Sequence, residues 1–128
     1  MSADIDPILQ KNFVKAFVCD INENAKEYDM VWVQGTVKEV INEDVAELQD
    51  VADSVATIAI CGLKDLVQEP RDSFLKKGKY MQILGQVVVK DPKPQIKTVK
   101  FVLINELVLQ EFWPIEVEEA KQVLMTSE

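Results

Sequence analysis

Enzymatic chemistry needs a nucleophile, a base or a set of metal ligands at workable spacing, and this chain is poor in all three. It has no histidine, no G-x-S-x-G and no glycine-rich phosphate loop, so nothing in it can run acyl or phosphoryl transfer. Cys19 and Cys61 lie far apart and form no CxxC pair. A zinc site is not expected, and apolar neighbours mark both as buried, reduced thiols. The acids between Glu43 and Asp53 lack the alternating oxygens, the glycine and the closing glutamate of an EF-hand loop. They read as solvated hairpin tips, and Glu39 and Asp65 as solvated carboxylates. No catalytic residue, cofactor or metal is expected.

Binding chemistry is more informative. A net charge of −8 opposes wrapping nucleic acid in a general positive field. The charge is uneven, however: Lys76, Lys77, Lys79, Lys90, Lys93, Lys97 and Lys100 face a single acid, Asp91, across that span. These lysines either guard exposed strand edges or form a local contact for DNA or an acidic partner, with Lys93, Lys97 and Lys100 first in line. A barrel that grips single strands alone needs exposed aromatics interleaved with basic residues. Tyr80 and Phe101 are the only platform candidates, and Trp32 reads as core or interface. Little or no autonomous nucleic-acid binding is expected. No apolar run reaches membrane-spanning length, and the acidic N-terminus shows no signal-peptide pattern. No membrane association is expected, and the default is a soluble intracellular protein.

The elements that must position these residues centre on Val31–Ile41, VWVQGTVKEVI. At about 3.3 Å per residue it makes a strand of roughly 36 Å, unusually long. Val31, Val33, Val37 and Ile41 share one face, and Trp32, Gln34, Thr36 and Lys38 the other. Gly35 interrupts the middle, and Lys79–Lys90 (KYMQILGQVVVK) repeats the plan around Gly85. Two long strands with central glycines imply a small closed barrel that turns corners at Gly35 and Gly85. Val45–Val51, Val55–Cys61 and Gln95–Asn105 supply the other strands. Alternation in the last puts Ile96, Thr98, Lys100 and Val102 on one face and Lys97, Val99, Phe101 and Leu103 on the other. Gly62–Gly78 carries a helical turn ended by Pro70, with Phe74 and Leu75 plugging the core.

Residues 1–29 form an arm, with a short helix over Pro7–Asn12 and an extra strand over Phe13–Ile21. Residues 30–105 form the barrel, and 106–128 a linker and helix, all within one domain. Pro114 is expected in the first turn of that helix. Trp113, Val117, Ala120 and Leu124 recur as an apolar stripe, which either packs on its own barrel or, as the preferred expectation, faces another subunit. The whole is all-β with a flanking helix: a five-stranded oligonucleotide/oligosaccharide-binding (OB) barrel plus a C-terminal α-helix.

VWVQGTVKEV, GKYMQILGQVV, QIKTVKF and the tail FWPIEVEEAKQVL together resemble the RecQ-mediated genome instability protein 2 family. The resemblance implies a small OB subunit that pairs, through terminal helices, with the C-terminal OB domain of a RecQ-mediated genome instability protein 1-like partner. It implies an indirect link to a RecQ helicase and topoisomerase III, dissolution of double Holliday junctions, and a nuclear location. It also implies a docking surface for a Fanconi-anaemia M-type peptide near the tail tryptophan, carried over to Trp113, with Trp32 matching the first-strand one. The other class to weigh is a single-strand-binding or telomere-capping OB subunit, similar to the small subunit of replication protein A or to Ten1.

Overall fold

A computed structural model describes residues 13–66, 76–90 and 93–126, with side chains to 122. The elements are β1 (Val14–Lys15), α1 (Val18–Glu23), a 3-10 turn (Ala25–Glu27), β2 (Met30–Val40), β3 (Ala46–Asp50), β4 (Thr57–Cys61), β5 (Tyr80–Val88), β6 (Gln95–Leu103) and α2 (Leu107–Thr126). The expected helix over Pro7–Asn12, and the roles of Pro70, Phe74 and Leu75, lie outside the described residues.

The barrel closes because β2 is long enough to serve two neighbours. Its first half pairs antiparallel with β5 and its second half with β3. β3 then pairs with β4, β4 runs parallel to β6, and β6 returns to β5. The five strands β2–β6 form the OB barrel, and β1 adds a sixth, parallel to the start of β2. Inward side chains follow the alternation of β2: Val31, Val33 and Val37 join Leu48, Ile60, Met81, Ile83 and Ile96 in the main core.

Both central glycines sit where strands cross closely. Gly35 pairs with Asp50 on one side and Met81 on the other. A Cβ there would run into the Gln49 carbonyl oxygen and lie 3.0 Å from Leu48 Cγ. At Gly85 a Cβ would meet the Lys97 carbonyl oxygen and stand 2.6 Å from Ile96 Cγ2. A side chain at either position would wedge the strands apart.

Two expectations change. The stretch over Phe13–Ile21 is not a strand throughout: only Val14–Lys15 pairs, and the chain then turns into α1. The buried carboxylate of Asp50, at the end of β3, imposes this by accepting the N–H groups of Val18 and Cys19, each at 3.1 Å. The Asp20 carboxylate accepts the Phe17 N–H at 3.2 Å. These acceptors satisfy backbone donors that a helix start leaves unpaired, and α1 seats Val18 and Ile21 in the barrel core.

The second change is in β6. Its pairing with β5 skips Val99, so a bulge resets the alternation there. Ile96 and Thr98 point inward, but Phe101 and Leu103, expected on the opposite face from them, then take over the inward side. Lys97 and Lys100, expected on opposite faces, are both exposed.

Candidate partner-binding site

The tail is helical from Leu107, so Pro114 lies inside α2 rather than in its first turn. Glu106 precedes the helix, and its carbonyl accepts the N–H groups of Leu109 and Gln110. The Gln110 side chain donates to the Ile104 carbonyl at 3.3 Å. The strong helix formers of ELVLQEF thus carry the first two turns, which alternation and the proline signal had assigned to a linker.

One face of α2 packs on its own chain. Trp113 and Val117 are 0% exposed, buried against Phe17 with Cys19 and Trp32 beside them. This corrects the expectation that these two residues face another subunit: a side chain with no exposed surface is already covered at home. Trp32 belongs to the same joint, half-buried. Ala120 is half-buried, and the Leu124 side chain lies outside the described residues.

The joint is braced by charge. Lys15 Nζ donates to Glu116 Oε1 at 3.0 Å and sits 5.0 Å above the Trp32 ring. Lys121 pairs with Asp20 at 3.1 Å and lies 5.3 Å from the Phe17 ring. Burial lowers the Lys121 pKa, but its hydrogen bond to Asp20 and the charges of Asp20 and Glu118 outweigh that and raise it. Burial, the Asp50 hydrogen bond and the charges of Asp50, Asp20 and Asp53 push the Cys19 thiol up to about 12. Cys19 and Cys61 are free and only half-buried, rather than sunk in the core.

The other side of α2 is the unexpected one. Leu107, Val108, Leu109, Phe112 and Ile115 are all exposed, Phe112 at 50% and Ile115 at 52%. Val108, Phe112 and Ile115 stand at i, i+4 and i+7 and so form one stripe on the helix surface. That spacing was present in the sequence and went unread because Pro114 was taken as the helix start. The three side chains make a continuous apolar stripe rather than singly scattered apolar surface residues.

Little elsewhere suits chemistry or base stacking. Among the described residues no group of three or more His, Cys, Asp or Glu side chains could hold a metal ion. Phe101 packs against the main core, and the Tyr80 hydroxyl donates to Gln34 Oε1 at 2.8 Å. Burial, with Asp50 and Glu116 nearby, raises the Tyr80 pKa. Lys93, Lys97 and Lys100 are exposed, and none is in an ion pair among the described residues. Of the acids expected at solvated hairpin tips, Glu43 and Asp53 are exposed, but Asp44 accepts the Lys64 N–H at 3.1 Å and is half-buried. No described helix is long and apolar enough to cross a membrane.

A closed five-stranded barrel with a C-terminal helix docked outside it and an apolar stripe left open defines an OB-fold protein. The overall shape is shared with a chain of the S. pombe Stn1–Ten1 complex, at a TM-score of 0.72 and 12% identity, covering 89% of this chain and 94% of that one. At that identity the likeness establishes the fold alone. Residues 9–121 match the family of RecQ-mediated genome instability protein 2, and the chain belongs to that family. Relatives bearing that name are 31% identical over 96 residues in Gallus gallus and 33% identical over 95 residues in Bos taurus. Each match covers 73% of this chain, and 67% and 56% respectively of the relatives' length.

Proposed function

We propose that this protein is a non-catalytic OB subunit that pairs, through α2, with the C-terminal OB domain of a RecQ-mediated genome instability protein 1-like partner. The pair stabilises a nuclear assembly of a RecQ helicase and a type IA topoisomerase that dissolves double Holliday junctions and limits crossovers. It also forms a docking surface for other repair proteins, a Fanconi-anaemia M-type peptide among them. Family membership supports the genome-stability role. The observation that carries the interface is the exposed stripe Val108–Phe112–Ile115 on a helix whose opposite side is already fixed to its own barrel. The partner therefore meets this stripe rather than Trp113 and Val117, which act by holding the helix in place. In the assembled complex, Lys93, Lys97 and Lys100 supply the contact to DNA or an acidic partner. The test is purification of the tagged protein from its source cell, followed by mass spectrometry of what co-purifies. RecQ helicase and topoisomerase peptides, lost on Phe112→Ala or Ile115→Glu, are the expected result. Recovery of large replication protein A subunits or a Stn1-like chain in their place would overturn it.

A further inference from the structure

The joint between α2 and the arm holds two ion pairs with a shared offset. Lys15 on β1 reaches Glu116, and Lys121 reaches back to Asp20 in the first turn of α1; each pair spans 101 positions in sequence. The polarity is exchanged between them: the arm gives a base and then an acid, and the helix an acid and then a base. Each lysine also lies over an aromatic ring of the joint, Trp32 or Phe17. The four groups therefore couple the same two elements twice, in opposite senses.

The apolar contact alone does not fix where α2 sits along the arm. It consists of Trp113 and Val117 on Phe17, with Cys19 and Trp32 beside them. Leu109 stands four residues before Trp113, and Trp113 four before Val117, so a slide of one turn in that direction still brings an apolar residue to each contact. The indole N–H groups of Trp32 and Trp113 have no partner, so no directional hydrogen bond from either ring fixes the seat. The charges do discriminate. The slide that seats Leu109 in place of Trp113 would put Phe112 opposite Lys15 and Val117 opposite Asp20, while a four-residue slide the other way already fails by bringing Lys121 to the Val117 seat. Both ion pairs are then lost at once, and no new pair replaces them.

We infer that Lys15, Glu116, Lys121 and Asp20 form a reciprocal register lock that seats α2 on the arm at one position along its axis. The lock acts by positioning: it fixes the height and rotation of α2 where it rests on the arm, from Trp113 to Lys121, and so sets the base from which the stripe of Val108, Phe112 and Ile115 is presented. Half-exposed ion pairs contribute little to stability individually, but two pairs of exchanged polarity reject wrong alignments. That consequence for a partner rests on the reading of α2 as the partner-binding element. The lock itself does not.

The experiment uses the full chain. Its two tryptophans, Trp32 and Trp113, both lie in the joint, so their emission reports on docking without added probes. Amide hydrogen exchange is followed in α2 and, as an internal reference, in β2 and β5. Lys15→Glu and Glu116→Lys, made singly, should each speed exchange across residues 113–122 at least threefold and shift tryptophan emission to the red. The barrel amides should be unchanged. The double variant Lys15→Glu/Glu116→Lys restores an ion pair with reversed sense and should return both signals towards wild type. Lys121→Glu should resemble the single variants, and adding it to the restored pair should undo the recovery. A double swap as open as either single variant would overturn the lock, as would single variants with wild-type emission and exchange. Partner titration is read separately. If the swap restores docking but no OB partner binds the wild-type chain, the functional reading fails and the lock stands.

Discussion

Adjacent residues on α2 give the sharpest test of the interface, because Trp113 is fully buried against the arm while Phe112, about 100° further round the helix, is half exposed. Truncating a buried tryptophan to alanine costs about 3–5 kcal/mol. Trp113 also carries an unpaired N–H, and removing such a buried donor offsets about 1–3 kcal/mol. Trp113→Ala should therefore destabilise the lone chain by about 2 kcal/mol. Phe112 differs: half its surface is open to water. Full burial of a phenylalanine is worth about 1.5–3 kcal/mol, so covering the remaining half is worth about 1 kcal/mol, roughly fivefold in affinity. If Phe112 fills a pocket on the partner as an anchor, the loss rises to about 2 kcal/mol, roughly thirtyfold. Urea unfolding of the chain alone measures the first effect. Titration calorimetry against the purified OB domain of the partner measures the second. Phe112→Ala should leave the unfolding midpoint close to wild type while weakening binding. The reasoning fails if Phe112→Ala binds like wild type, or if it unfolds the lone chain as readily as Trp113→Ala does.

Other outcomes follow from features of the barrel and arm. Gly35→Val and Gly85→Val place atoms against the Gln49 and Lys97 carbonyls, so each should lower stability by at least about 1–3 kcal/mol in thermal melts; a melt matching wild type would show that the strands can part there. Asp50→Ala strands the N–H groups of Val18 and Cys19, at about 1–3 kcal/mol each, and hydrogen exchange should rise first in α1. Burial and the Asp50 interactions hold the Cys19 thiol protonated until about pH 12, above its unfolded value. Its contribution to stability is therefore present below about pH 9 and lost as pH rises through the folded value; alkylation of Cys19 at pH 9 should be slower in the native chain than in urea. With negative net charge and no fully exposed aromatic on the barrel strands among the described residues, the isolated chain should bind single-stranded oligonucleotides no better than roughly micromolar at physiological salt. Nanomolar anisotropy signals would contradict that.

The barrel was legible where local pattern and tertiary role agree. The alternation of Val31, Val33 and Val37 survives because that face of β2 is buried as far as Val37; it fails at Ile41, which is exposed, because a bulge between Val37 and Glu39 breaks the register. Gly35 and Gly85 stand out in otherwise β-branched runs. The arm was misread because α1 is too short to show a helical period. What bends the chain there is Asp50, 32 positions from Val18, and no local window contains it. The face of Lys100 was misassigned because a bulge at Val99 adds one residue to β6, and a strict two-residue period has no place for it. At the candidate site, the apolar spacing of Trp113 and Val117 was read correctly but assigned to the wrong neighbour. Periodicity says that a face is covered, not by what. The outward stripe was hidden by a proline signal that is ambiguous between a helix start and a helix interior.

Pro114 in that position has a mechanical consequence. Having no N–H, it leaves the Gln110 carbonyl without the donor that the next turn of a helix supplies. The missing bond falls at the boundary between the anchored part of α2, from Trp113 to Lys121, and the turns that carry Leu107, Val108, Leu109 and Phe112. A helix bends most easily where its internal ladder is broken. The outer turns can therefore lean towards an incoming surface while Trp113 stays seated, which gives a rigidly mounted helix a compliant tip.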